Sequence, residues 1–238
     1  MVYRGPRSMT TEPVVTFALI GICVLAFVAS GMGSSSSAIY SDGSLLGIGI
    51  TPPPVSELIG VHEGEYWRLL TGAFLHGSIL HIAFNMYLLY ILGRMFEPRW
   101  GSGRFAGIYF AGLFCGSLGA LIQTTITPTV GASGAVFALM GAALVQLHAD
   151  GEDPWRSDIG ILVLINLALG FVLSNVSVGG HVGGLVGGAA LMFAIRFADQ
   201  RRLPPWSAYG ICVVVGLIAI VVSIAISGNI HDHDLSLG

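Results

Sequence analysis

The chain has 238 residues, 54% of them hydrophobic and 10% charged, with a formal net charge of −3. Soluble domains carry roughly 25% charged residues, so a water-soluble globule is excluded, and the lack of any basic patch argues against a nucleic-acid partner. Apolar runs of about 20 residues, long enough to cross a hydrocarbon core of about 30 Å as helices, recur along the chain, and a polytopic helical membrane protein is the class that fits.

Hydropathy places seven spans, near residues 13–30, 75–93, 105–126, 130–148, 159–176, 178–196 and 207–227. The first is too long and too poorly supplied with a cleavage site for a removable signal peptide, although it suits an uncleaved anchor. The loop from 31 to 74 opens with the low-complexity stretch GMGSSSS and closes with an apolar half whose Tyr66, Trp67 and Phe74 suit a membrane interface. That half is expected to lie against the outer leaflet. The second span carries His76, His81 and Asn85, and the third carries Gln123. The fourth opens with GASGAVFALMG, which contains Ser133, and HADGEDPWRSD after it reads as a polar turn. The fifth span holds Asn166, and the sixth holds His181 within GGHVGGLVGG. Gln123 and Asn166 read as packing hydrogen bonds. Beyond the seventh span, His231 and His233 read as part of a frayed end rather than a metal site. Cys23, Cys115 and Cys212 fall in separate spans and form neither a disulfide framework nor a metal site.

The chain has no lysine, and its ten arginines set the orientation. With the N-terminus cytoplasmic and the C-terminus extracytoplasmic, Arg4, Arg7, Arg94, Arg99, Arg104, Arg156, Arg196, Arg201 and Arg202 lie inside, leaving Arg68 outside. Arginine without lysine, alongside abundant glycine and alanine, points to a GC-rich bacterial genome and hence to a bacterial cell membrane.

Polar groups inside a bilayer are costly and must find a partner or line a wet cavity. The second, fourth and sixth spans all run inward, and Ser133 and His181 each stand about one turn from the outer start of theirs. His81 and Asn85, four apart, share a helix face slightly deeper in the same leaflet. Gly179, Gly183 and Gly187 form one row of the sixth span, and Gly180, Gly184 and Gly188 form the adjacent row. A face without side chains admits another backbone closely. If the fourth span, small at Gly131, Ala132, Gly134 and Ala138, is that partner, the imidazole of His181 reaches the Ser133 hydroxyl. A serine hydroxyl becomes nucleophilic when a base takes its proton, which a neutral imidazole can do. Attack on a peptide carbonyl creates an oxyanion that needs donors worth about 3–4 kcal/mol each. Asn85, His81 and the Ser133 backbone N–H are the candidates. No carboxylate occupies the middle of a relevant span, so the unit is a Ser–His dyad. Taken singly, Ser133 fits a packing seam, His181 an interhelical hydrogen bond, and His81 with Asn85 a polar clamp. At one depth together, with the glycine face and the outer-loop motif, they point to a protease site.

EYWRLLTGAFLHGSILHIAFN, GASGAVFALMG and GGHVGGLVGG, in this order and at these places in the topology, resemble the rhomboid family of intramembrane serine proteases. The resemblance spans roughly residues 62–196. It implies an all-α polytopic membrane helical bundle, a rhomboid-like six-helix core plus a seventh C-terminal helix. On that division residues 1–12 are a cytoplasmic segment, 13–206 the catalytic core, and 207–238 the added helix and outer tail. It also implies Ser133 as nucleophile, His181 as general base, and His81, Asn85 and Ser133 as the oxyanion hole. His76, Gly131 and Gly134 take supporting places, Gly180, Gly184 and Gly188 pack helices, and Trp67-Arg68 matches the family's Trp-Arg pair. Glu97 and Gly101, within GRMFEPRWGSGRF, look like the family's turn after the second span. Phe137 stands where the family often has tyrosine, keeping a ring to stack on His181 without the hydroxyl. The implied activity is cleavage of transmembrane segments of other proteins near their outer ends. Transmembrane protein substrates and membrane lipids are then the partners, and neither cofactor nor metal is required. An inert relative that binds membrane-protein clients is the alternative; a proton or solute transporter would need polar groups reaching the cytoplasmic half. The fifth span and the first outer loop are expected to be mobile, while the oligomeric state, the substrate and its gate are left open.

Overall fold

A computed structural model of the protein describes residues 12–51, 56–172 and 176–228. Arg4, Arg7, His231 and His233 lie outside the described residues. Apolar surroundings leave a backbone to satisfy its own polar groups, which a helix does, and the apolar runs are helical accordingly. In chain order the elements are α1 (Val14–Ala29), the short α2 (Ala38–Gly43), a two-residue hairpin of β1 (Gly49–Ile50) and β2 (Leu58–Ile59), and the single turn α3 (Arg68–Thr71). Then come α4 (Ile79–Trp100), α5 (Ser102–Gln123), α6 (Ser133–Ala149), α7 (Asp158–Val172), α8 (Val178–Gln200) and α9 (Ser207–Gly228). Helices α4, α5, α8 and α9 are long and apolar enough to cross a membrane, and the apolar stretches of α1, α6 and α7 are shorter.

Several boundaries differ from the hydropathy reading, and three of them, both ends of α4 and the start of α6, have a visible cause. Helix α4 starts at Ile79 rather than 75 and continues to Trp100, so GRMFEPRW is its last turns and not a connecting turn. Pro98 breaks no more than one helical hydrogen bond there, and the turn proper is Gly101, whose φ of +84° joins α4 directly to α5. Glu97 lies inside the helix and is buried. Its carboxylate accepts the backbone N–H groups of Val15 (2.9 Å) and Thr16 (2.8 Å) and the hydroxyls of Thr16 (2.6 Å) and Ser102 (2.7 Å). One side chain thus satisfies first-turn donors of α1 and pins α1, α4 and α5 together. Helix α6 starts at Ser133 rather than 130, because Gly131, at φ +128°, cannot continue a helix.

The bundle is organised by close backbone approach. A β-carbon on Gly184 would overlap the carbonyl oxygen of Gly134, and one on Gly188 that of Ala138. These two glycines press α8 onto α6, whereas the interhelical atom that a β-carbon on Gly180 would meet is the Gly116 carbonyl oxygen of α5, at 3.6 Å. The neighbouring row faces a second helix: a β-carbon on Gly183 would stand 2.5 Å from the Cys115 carbonyl oxygen, and one on Gly179 2.8 Å from Gln123 Cβ. The sequence suggested α6 alone as partner; two adjacent glycine rows point in two directions, and α5 fills the second.

The loop before α4 is built rather than draped. Leu45 and Thr129 exchange both backbone hydrogen bonds (2.9 and 2.8 Å), tying it to the α5–α6 connection. Arg68 is 1% exposed. It donates from Nε to Glu65 (2.6 Å) and from Nη1 to the carbonyls of Ser41 (2.6 Å) and Ser44 (3.0 Å), closing α2 onto α3. Trp67 keeps its ring exposed and donates from Nε1 to the Asp42 carbonyl (3.1 Å). At the far ends of the long helices, Arg99 pairs with Asp150, and Arg104 holds Asp199 through two bonds of 2.7 and 2.9 Å.

Candidate active site

Three helices, α4, α6 and α8, begin around one cavity of about 1200 Å³. His81, Asn85, Ser133, Phe137, Asn166 and His181 all line it. Ser133 is the first residue of α6. The Gly131 N–H donates to the Gly72 carbonyl (2.9 Å) and the Ala132 N–H points at His76 Nε2 (3.5 Å), anchoring the turn before the serine. The first bond within α6 runs from Val136 N to Ala132 O, so the Ser133 N–H belongs to the first-turn donors that a helix cannot satisfy itself. It stands at the positive end of the helix dipole.

His81 is the third residue of α4, whose start Ser78 caps by accepting the His81 N–H (3.2 Å). The Gly77 N–H faces His81 Nδ1 at 3.5 Å, which favours the tautomer carrying its proton on Nε2. A β-carbon at Gly131 would stand 2.7 Å from His81 Nε2 and 3.8 Å from Ser133 Oγ, so glycine is required there and the two atoms share one corner of the cavity. His76 lies edge-on to His81, their ring centres 5.0 Å apart. Asn85 is buried one turn below and gives one amide hydrogen to the His81 carbonyl (2.9 Å), keeping a second for a ligand.

His181 sits in the first turns of α8, buried, with its ring stacked on Phe137 at 4.2 Å and 19°. Its Nδ1 has no hydrogen-bond partner among the described residues and faces Gly170 of α7. The same residues include no hydrogen bond between His181 and Ser133: the structure brings the two to one cavity without joining them. Gly134 packs against Gly116 of α5, keeping the backbone after the serine close to that helix.

Three lining residues carry more than the sequence suggested. Gln123 accepts the Gly179 N–H (2.6 Å) and so holds the start of α8. Asn166 is buried and donates to its own Leu162 carbonyl (2.7 Å) while facing the cavity. Tyr40 reaches the cavity from α2, and burial pushes its phenol above the usual range, which keeps it a neutral donor. Nothing local marks Tyr40 in the sequence, since the fold of the loop alone brings it there. Among the described residues no three His, Cys, Asp or Glu side chains converge as metal donors. The chemistry on offer is a hydroxyl, an imidazole and a set of N–H donors, the parts of an acyl-transfer site.

Comparison with known proteins agrees with this arrangement at the level of family. The family model described as Rhomboid domain matches residues 63–198. The chain is 33% identical over 216 residues to the Rhomboid protease GluP of Bacillus subtilis (strain 168), which covers 90% of this chain and 40% of that protein. It is 30% identical over 204 residues to Rhomboid-like protease 1 of Toxoplasma gondii, covering 81% and 68%. It is also 33% identical over 150 residues to Inactive RHOMBOID-like protein 8 of Arabidopsis thaliana, covering 59% and 42%. The chain therefore spans less than half the length of the first and third of these relatives. The matched stretch fills more than half of the chain and contains Arg68, Ser133 and His181, and the chain, an all-α integral membrane protein, belongs to the rhomboid family.

Proposed function

We propose that the protein is an intramembrane serine endopeptidase that hydrolyses peptide bonds in or near transmembrane segments of other membrane proteins by a Ser133–His181 dyad. The observation that carries this reading is the shared cavity wall: a hydroxyl at a helix N-terminus, a buried imidazole stacked on Phe137, and His81 Nε2 beside the serine. Ser133 Oγ attacks the scissile carbonyl carbon as His181 Nε2 takes its proton, and the carbonyl electron pair moves onto oxygen. The Ser133 N–H, His81 Nε2–H and the second Asn85 amide hydrogen stabilise that oxyanion. Collapse breaks the C–N bond, and His181 returns the proton to the leaving amine. Water then attacks the acyl ester, losing its proton to His181, and releases the acid with Ser133 restored. Small residues at the cleavage position and helix-weakening residues beyond it suit the substrate, since a helical carbonyl is hydrogen-bonded and covered.

The arginine distribution supports an orientation with the cavity outside, the N-terminus cytoplasmic and the C-terminus extracytoplasmic, in a bacterial cell membrane. An inert, client-binding protein is the second reading, favoured by the lack of a Ser133–His181 hydrogen bond among the described residues and by a relative named inactive. Unliganded sites commonly show loose catalytic geometry, and this chain retains serine, both histidines and asparagine. The test is cleavage of a transmembrane reporter, small near its outer end, by purified protein in lipid. Wild type is expected to cut, and Ser133→Ala and His181→Ala to be inert. A well-folded wild type that neither cuts nor reacts with a fluorophosphonate would put client binding in place of proteolysis.

A further inference from the structure

The start of α8 is a weak place to mount a working side chain. Its first turn is Val178-Gly179-Gly180, and paired glycines are poor helix formers. His181 follows at once, its N–H bonded to the Ser177 carbonyl (3.1 Å). Two side-chain acceptors hold that turn. Ser177 Oγ takes the Gly180 N–H (3.1 Å), a bond within the same turn, whereas Gln123 Oε1 takes the Gly179 N–H (2.6 Å) from α5. The Ser177 hydroxyl also lies 3.4 Å from Gln123 Oε1, so both acceptors meet at one carboxamide. A β-carbon on Gly179 would stand 2.8 Å from Gln123 Cβ, so the glycine is what lets the carboxamide reach the helix end.

We infer that Gln123 is a positioning residue for His181: its carboxamide oxygen fastens the glycine-rich first turn of α8 to α5 and thereby fixes where the imidazole stands relative to Ser133. This rests on the protease reading. Gln123 touches neither reacting atom. It acts through three residues of backbone, and no other side chain outside the turn accepts a first-turn N–H of α8 among the described residues. Without that oxygen the two glycines lose their external anchor, and the imidazole samples positions from which Nε2 does not meet the serine.

The experiment compares wild type, Gln123→Leu and Gln123→Glu in lipid vesicles, with Ser133→Ala alongside. It measures kcat and KM on the transmembrane reporter, the rate of Ser133 labelling by a fluorophosphonate, the pH profile of kcat, and Tm. Gln123→Leu removes the acceptor at similar size, and kcat and the labelling rate are expected to fall together by about tenfold, with KM within about twofold. Gln123→Glu keeps an acceptor at the same reach and is expected to recover most of kcat. Its added negative charge near the imidazole also moves the acid limb of the profile to higher pH. The other titratable groups on the cavity wall, His81 and Tyr87 of α4 and Tyr40 of α2, are the same in every variant. A purely structural Gln123 would lower Tm while leaving kcat per folded molecule and the pH profile unchanged, and that result overturns the inference. Should Gln123→Leu not fold, a folded Gln123→Met protein, which also lacks the acceptor, with wild-type kcat and labelling rate overturns it equally. If wild type cuts no faster than Ser133→Ala, the protease reading fails first and takes this inference with it.

Discussion

Replacing Gly184 with alanine tests whether close backbone packing sets the geometry of the site. In an isolated helix the change is favourable by about 1 kcal/mol, because alanine gives up less backbone freedom than glycine. Here the new methyl would overlap the Gly134 carbonyl oxygen and stand 2.9 Å from its carbon and 3.2 Å from its Cα. Non-bonded carbons sit at about 3.5–4.0 Å, so α8 and α6 must part by about 1 Å. The obstructing atoms are backbone, which cannot rotate aside, and overpacking of this kind costs about 1–3 kcal/mol. Set against the propensity gain, this leaves an expected net loss of up to about 2 kcal/mol. Gly134 is the residue after Ser133, and Gly184 lies one turn from His181, so the displacement falls on the proposed dyad itself. A misplacement of about 1 Å costs on the order of 100-fold in rate. The assay is kcat/KM on a transmembrane reporter together with Tm in the same detergent. Gly210→Ala in α9, where a β-carbon meets nothing within 4 Å, serves as control and is expected to hold activity and to gain up to about 1 kcal/mol. A Gly184→Ala protein with wild-type kcat/KM and unchanged or raised Tm would refute the reasoning.

Three further outcomes follow from single contacts. Arg68→Lys retains the charge but cannot reproduce the forked bonds to Glu65, Ser41 and Ser44, and a loss of about 2–4 kcal/mol is expected; thermal unfolding and proteolysis of the loop before α4 check it, and wild-type resistance in both would count against the buried-fork account. Glu97→Ala strands two backbone N–H groups and two hydroxyls, a loss of about 3 kcal/mol readable as a lower Tm, with Glu97→Gln recovering only part. Phe137→Ala removes the ring stacked on His181, and reporter cleavage is expected to drop about tenfold or more per folded molecule, whereas Phe137→Tyr, which keeps the ring, stays within about threefold; equal activity in all three proteins would show that the stack does not steer the imidazole.

The parts of this molecule that could be read from sequence are those governed by local rules. Apolar length marked each long helix, and two glycine rows marked α8 as a face for close packing. What escaped depends on distant partners. The second span was read as ending near 93, with GRMFEPRWGSGRF as a turn, yet α4 runs on to Trp100, and the α1 donors that Glu97 satisfies there lie some eighty residues away in the chain. The Ser133 turn was placed inside a span, while the positive φ of Gly131 and its bond to Gly72 make Ser133 a first residue. The loop before α4 was expected to lie against the outer leaflet; its exchange of bonds between Leu45 and Thr129, which ties it to the α5–α6 connection, joins residues more than eighty apart and has no local signal. Gln123 read as packing because its target, an N–H of α8, becomes visible only when the two helices are side by side.

The three helix starts around the cavity are not treated alike, and the difference bears on chemistry. Helix α4 is capped by the Ser78 side chain, and α8 by Ser177 with Gln123. Helix α6 has Ala132 at the same position, with no side-chain cap. A serine or aspartate there would ordinarily stabilise a helix by about 1 kcal/mol, by taking its N2 or N3 N–H group. Leaving the cap out keeps the first-turn donors of α6 available to a ligand, in the one helix whose first residue is the candidate nucleophile. An uncapped, positively polarised helix end is a ready acceptor of negative charge. Here it faces a hydroxyl and His81 Nε2 in a cavity walled by apolar side chains, where each such donor counts for more than it would in water. Stability is thus withheld from the start of α6, and under the protease reading the site gains donors that the helix fixes in place before any substrate arrives.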